Sequence, residues 1–204
     1  MTKGSIRNIA SPNYPIAPNQ YNRQFMDQFI NVTRLNSNLF ANSINAPKVF
    51  GSYYSDVQQN NASATAVNLM TVNNVVVAFN TVTRSPFSKI YVAETGIYNI
   101  QFSAQFDKTA GAGADIYIWL RQNGVDVPYT ASKVRIQGSS AELITAWNFV
   151  ILMSANDYFE IAWSSTDTAV HVSAVAPAAG PPVIPGIPSV ILTVCWVSNV
   201  PAQV

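Results

Sequence analysis

The chain has 204 residues, 49% of them hydrophobic and only 10% charged, with eleven Lys and Arg against ten Asp and Glu for a net charge of +1. That leaves room for one domain of ordinary size plus an appendage. It excludes a disordered chain and any nucleic-acid or membrane binder that works by excess positive charge. A single cysteine, Cys195, excludes an intrachain disulfide framework, and a single histidine, His171, excludes a His-rich metal site.

Residues 1–18 read as an extended anchoring arm. Pro12, Pro15 and Pro18 forbid a regular helix there, and Ser, Asn and Gly fill the spaces. No secretory leader is expected from this start, nor a spanning helix anywhere, because no run of eighteen apolar residues exists. Synthesis in a cytoplasm is the expectation.

Residues 19–47 read as one short helix, capped by Asn19 and stopped by Pro47. Phe25, Phe29, Val32, Asn36 and Leu39 follow spacings of four, three, four and three. That is a heptad seam suited to a trimeric helix bundle, with Asn36 at a position where a buried amide sets register. A helix packed on its own domain is the alternative. About two and a half heptads are too few to be stable alone.

Residues 48–204 read as mainly β, an antiparallel jelly-roll or sandwich of short strands separated by turns. The cleanest strand is 97–106: Tyr98, Ile100, Phe102, Ala104 and Phe106 alternate with Asn99, Gln101, Ser103 and Gln105. Gly111-Ala112-Gly113 turns the chain, 115–120 forms the next strand, and Asn123-Gly124 signals a hairpin. Further strands are expected at 146–153, 158–163, 169–175 and 190–197.

Some of these strands do not alternate. Residues 116–120, including Tyr117 and Trp119, are apolar on both faces, and so are 149–152, with Phe149 and Ile151, and most of 190–197, with Trp196. One face packs the sandwich core, together with Tyr98, Ile100, Phe102 and Trp163. The other needs a cover, and a second copy of the chain is the economical one.

Sites for chemistry are sparse. Cys195 and His171 are the sole nucleophile and base candidates, and a buried strand cysteine is ordinarily inert. Glu142, Asp157 and Glu160 are the carboxylates on which a glycosidase would rely, although their separation is not legible from spacing. Asp107, Asp115 and Asp126 lack a calcium-loop pattern. The reading is therefore no enzyme, no cofactor and no metal. The segment 176–189 is uncharged and carries Pro177, Pro181, Pro182, Pro185 and Pro188. A stiff loop of this kind reads as a contact loop, toward a receptor or between subunits, or as a rigid crossover.

Residues 90–106 resemble the signature strand of the complement/tumour-necrosis-factor-like jelly roll. Gly96, Tyr98, Ile100 and Phe102 match its Gly-x-Tyr-x-aliphatic-x-Phe pattern. The Asn123-Gly124 hairpin and the 154–161 turn and strand are similar to later parts of it, with Asn156 where Gly is usual. The closing strand departs, with Val190-Ile191-Leu192 in place of a Phe-Ser-Gly step. This resemblance implies a homotrimer. Residues 14–35 resemble the opening of small virion appendage proteins of tailed bacteriophages: Tyr14, Pro15, Ala17, Pro18 and Tyr21 match a Pro-x-Ala-Pro-x-x-Tyr lead into a helix. That resemblance implies a head-fibre, decoration or tail-associated protein, made in host cytoplasm and located in the virion. Residues 1–45 would hold other virion proteins, with Tyr14, Pro15, Pro18 and Tyr21 as anchors. The loops would meet a host-surface polysaccharide or protein. The alternatives are a receptor-binding fibre tip and a carbohydrate-active enzyme on the same scaffold.

Overall fold

The structure is a computed structural model and describes residues 22–44, 49–84 and 87–199. The arm 1–18 and the anchor positions Tyr14, Pro15, Pro18 and Tyr21 lie outside the described residues.

The helix and the β-rich unit Lys48–Ser198 are separate compact units. Helix α1 spans Arg23–Ile44. Asn22 caps it: the Gln24 N–H donates to Asn22 Oδ1 over 2.8 Å, which satisfies one of the orphan amides of the first turn, and Asn19 lies outside the described residues. Phe25 and Phe29, one turn apart, stack with ring centroids 6.2 Å apart. Of the predicted seam, Phe25, Val32 and Asn36 are half-buried while Phe29 and Leu39 are exposed. Ile30, Leu35 and Phe40 are exposed as well, so the apolar surface is broader than a two-position seam.

The β unit is an antiparallel jelly-roll sandwich. Its strands are β1 Phe50–Ser55, β2 Gln59–Asn60, β3 Asn68–Leu69, β4 Asn74–Phe79, β5 Thr81–Arg84, β6 Lys89–Val92, β7 Gly96–Lys108, β8 Ala114–Gln122, β9 Val125–Asp126, β10 Ser132–Ile136, β11 Ala141–Met153, β12 Tyr158–Ser165, β13 Val170–Val172 and β14 Val190–Ser198. In the first sheet β11 pairs with β7 over the whole length of both. The opposite edge of β7 is shared by β14 and β13, and the sheet continues from β14 to β1 and β4 and from β13 to β2. The second sheet runs β10-β8-β12-β6-β5, with β9 on β8 and β3 on β12. The chain crosses from sheet to sheet at β2–β3, β3–β4, β4–β5, β6–β7, β7–β8, β10–β11, β11–β12 and β12–β13, which winds it into the jelly roll.

Period-two alternation explains the core. Tyr98, Ile100, Phe102, Ala104 and Phe106 of β7 face Ile116, Ile118, Leu120, Phe159, Ile161 and Trp163 of the second sheet, all buried in one cluster. Phe106 meets Trp163 edge-on at 5.4 Å, and Trp147 meets Phe102 edge-on at 4.9 Å. Gly96 is a close-approach glycine: a Cβ there would collide with the Trp196 indole. Asn123 and Gly124 take positive φ (51° and 80°) in the β8–β9 turn, and Asn156 does so at 71°.

One residue of β7 breaks the apolar pattern. Lys108 stands at an inward position and is fully buried. Its ammonium donates to the Asp167 carboxylate and to the Ala110 carbonyl. Asp167 Oδ1 in turn accepts from the Ala169 N–H at 2.9 Å. Asn61 Nδ2 fixes the same loop by donating to the Ser165 and Asp167 carbonyls at 3.0 and 3.1 Å. The Lys108 ammonium beside it, then the Ala169 amide, hold the Asp167 carboxyl below its ordinary range.

Asp167→Asn should therefore destabilise the sandwich by about 2 kcal/mol at pH 7. That is less than the full cost of orphaning a buried charge, because Asp167 is partly exposed. The contribution is complete above the ordinary carboxyl value of 3.8 and disappears as pH falls through the depressed value. Urea unfolding of both proteins should show a gap at pH 7 that narrows below pH 3.8. A constant gap would contradict the ion-pair role.

Candidate functional site: the outer face of the first sheet

The two outer faces of the sandwich differ in charge. On the outer face of the second sheet stand Lys89, Asp115, Arg121, Asp126, Lys133 and Arg135. On the first sheet the ionised residues are Asp107, Lys108 and Glu142, all at one end, and Lys108 points inward. Strands β1, β4 and β14 carry none.

The registers lay out the outer face of the first sheet as rows across five strands. One row is Val150, Asn99, Cys195, Phe50 and Phe79. The next is Asn148, Gln101, Thr193, Ser52 and Val77, and the third is Ala146, Ser103, Ile191, Tyr54 and Asn74. The middle of these rows is mainly amides, hydroxyls and the Cys195 thiol, interrupted by Ile191 in the third. Apolar groups flank that middle: Ile144, Val150 and Leu152 on β11, and Phe50, Val77 and Phe79 on β1 and β4, all exposed. Phe50 and Phe79 stack at 6.0 Å. Among the described residues of the unit no further strand pairs or stacks as a third sheet on this face.

Both edges of the sheet are open too. β11 pairs with β7 alone and β4 with β1 alone among the described residues. Exposed sheet edges are ordinarily guarded by charge, proline or a covering element. Here β4 reads Asn-Val-Val-Val-Ala-Phe, and β11 carries one charge in thirteen residues. A face uncharged except at its Asp107–Glu142 end, with two unguarded apolar edges, suits close packing against another protein surface.

The predicted site residues fall into three groups. Tyr98, Ile100, Phe102, Phe149 and Trp163 are buried in the core, and Ile151 and Trp196 are half-buried against it. Tyr117 and Trp119 point outward from the second sheet, not the first. Trp119 Nε1 donates to Asp126 at 2.8 Å, and Lys133 lies over the Tyr117 ring at 5.9 Å. Pro177, Pro181, Pro182, Pro185 and Pro188 lie in the connection between β13 and β14. Strand periodicity did not single out the exposed residues of β1 and β4. The uncharged, β-branched run at 74–79 was the available signal.

The candidate carboxylates are not brought together. Glu142 lies on β11 of the first sheet, and Glu160 on β12 of the second, buried and accepting from Ser88 Oγ at 2.9 Å. Asp157 ties two turns, accepting from Gln122 Nε2, Asn123 Nδ2 and the Ser154 N–H at 2.7 to 3.0 Å. Partial burial pushes its carboxyl up, but those three bonds outweigh burial and leave it below its ordinary range. Asp115 is paired with Lys133 and Arg135. Among the described residues no group of three His, Cys, Asp or Glu is placed to hold a metal ion.

No family model and no curated protein matches the chain. Among solved structures, it is similar to Eiger TNF from S. frugiperda, with 7% identity over 78% of this chain and 98% of that one, at a TM-score of 0.49. The jelly-roll assignment rests on the strand order itself.

Cys195, exposed at the centre of the first row, reports on this face. In dilute solution its thiol should react with Ellman's reagent without denaturant. A thiol that reacts only after unfolding, at every protein concentration, would contradict its outward placement.

Proposed function

We propose that the protein is a self-assembling structural protein, a homotrimer whose subunits cover one another's uncharged first-sheet face. The observation that carries this reading is the segregation of charge: one outer face is charged throughout, while the other carries ionised groups only at its Asp107–Glu142 end and is elsewhere neutral, flanked by apolar residues and open at both edges. Covering the face beyond its Asp107–Glu142 end removes apolar area from water without desolvating an ionised group, which is what obligate interfaces favour. The finer reading is a bacteriophage virion appendage, a head-fibre, decoration or tail-associated protein held to the particle by residues 1–45. It is supported by the resemblance of residues 14–35 alone. In this reading the charged outer face of the second sheet and its loops point to solvent, where they can meet a host-surface polysaccharide or protein. The protein is not an enzyme in this reading, and its place of action is the virion.

Light scattering behind size exclusion tests the assembly. The expected mass is 66.6 kDa, three times 22.2 kDa. Val150→Asp on the first sheet should weaken association at least about 100-fold, close to 3 kcal/mol, because it buries a lone carboxylate. Tyr117→Asp on the second sheet should leave the mass unchanged. A 22.2 kDa monomer for the parent protein would overturn the reading. The virion role has its own test: the chain should cosediment with particles from infected cells, and removal of residues 1–47 should leave it in the soluble fraction.

A further inference from the structure

The connection between β13 and β14 is not an irregular loop. Val175 and Ile187 exchange both N–H···O bonds at 2.9 and 2.8 Å, and Ala178 and Ile184 exchange both at 3.1 and 3.2 Å. The result is a two-stranded finger. At its base the Ser173 N–H donates to Gln105 O at 2.7 Å, and the Gln105 N–H donates to Ser189 O at 2.9 Å. Ser189 is tied by its own N–H to Ser55 O at 2.8 Å and by its Oγ to Val57 O at 2.7 Å. Gly186, at φ 94°, lets the strand lie against the Pro177 ring, where a Cβ would come within 3.2 Å. Ladder bonds and prolines together make the finger stiff, so docking it costs little conformational entropy.

Its chemistry is restricted. Residues 174–188 are Ala, Val, Pro, Gly and Ile only, without one side-chain nitrogen, oxygen or sulfur atom. Val175, Val183 and Ile187 are nonetheless exposed, Val183 at 76%. A sugar is held by side-chain hydrogen bonds and aromatic rings, and a nucleic acid by cations. The finger offers none of these. What it fits is an uncharged apolar protein surface. One such surface begins at its own root: Gln105 is the cross-strand partner of Ile144, on the outer face of the first sheet.

We propose that residues 174–188 form an inter-subunit clasp, whose apolar side chains lie on the uncharged first-sheet face of a neighbouring copy. This rests on the self-assembly reading above and names the segment that secures it. The finger is neutral, the face is neutral beyond its Asp107–Glu142 end, both are exposed in the single chain, and the finger's root borders the face, so the two surfaces are continuous.

The test uses the full chain with a photo-cross-linking amino acid in place of Val183. Irradiation should give a denaturing-gel band at twice the chain mass, and the cross-linked peptides should come from β7, β11 or β14. Val183→Asp, at a fully projecting position, should raise the concentration at which the assembly half-dissociates by tenfold or more, with unchanged circular dichroism. If the parent protein and Val150→Asp behave as the assembly reading requires while Val183→Asp dissociates normally and cross-links fall within one chain, the clasp is wrong and the assembly stands. Cross-linking to host-cell material instead of a second copy would also overturn the clasp. A monomeric parent protein removes both.

Discussion

Strand β7 is hydrogen-bonded on both edges along nearly its whole length, to β11 on one side and to β14 and β13 on the other. Its alternation is therefore imposed on the sheet. The inward row from Tyr98 to Phe106 fills the sandwich and sets which side of β11 and β14 is core. The outward row of Asn99, Gln101, Ser103 and Gln105 becomes the polar strip down the middle of the outer face. A register slip of one residue would exchange the two rows and put amides in the core, so the face exists because the core does.

The same constraint separates what the sequence shows from what it hides. β7 is legible because its alternation is strict, and the Asn123-Gly124 turn because both residues accept positive φ. The apolar wall inferred from 116–120, 149–152 and 190–197 is real as a set of strands but spans two sheets. Tyr117 and Trp119 belong to the charged sheet, whereas Val150, Leu152 and Ile191 belong to the uncharged one. Periodicity gives the face of a strand and carries no information about which sheet receives it. β11 begins at Ala141, ahead of the expected 146, because Glu142 and Ile144 occupy outward positions that tolerate either character. The strand expected at 169–175 shortens to Val170–Val172, because the chain leaves β7 there to form the finger. Lys108 was not legible as a core residue. Its partner Asp167 lies 59 residues further on, and only the fold brings them together.

The prolines of the finger illustrate the same limit. Proline has no amide to donate, so a segment rich in it reads as irregular. Val175, Ala178, Ile184 and Ile187 stand between the prolines and supply the donors, and the ladder forms through them. A backbone in which five of fifteen residues lack an N–H donor thus becomes a defined projection with a purely apolar surface. The chain has low charge overall, and it places that charge where contact with solvent persists: on the second sheet, at the turns and at one end of the first.

The central claim is that the outer face and open edges of the first sheet are covered by other copies of the chain. Amide hydrogen exchange across a protein dilution series tests it directly, because among the described residues of the unit the outward N–H groups of β4 and β11 have no partner strand. Protection of residues 74–79 and 141–153 should rise with protein concentration while β8 and β10 stay unchanged. Edge strands that exchange at the same rate at every concentration, or protection that rises on β8 and β10 instead, would contradict the account.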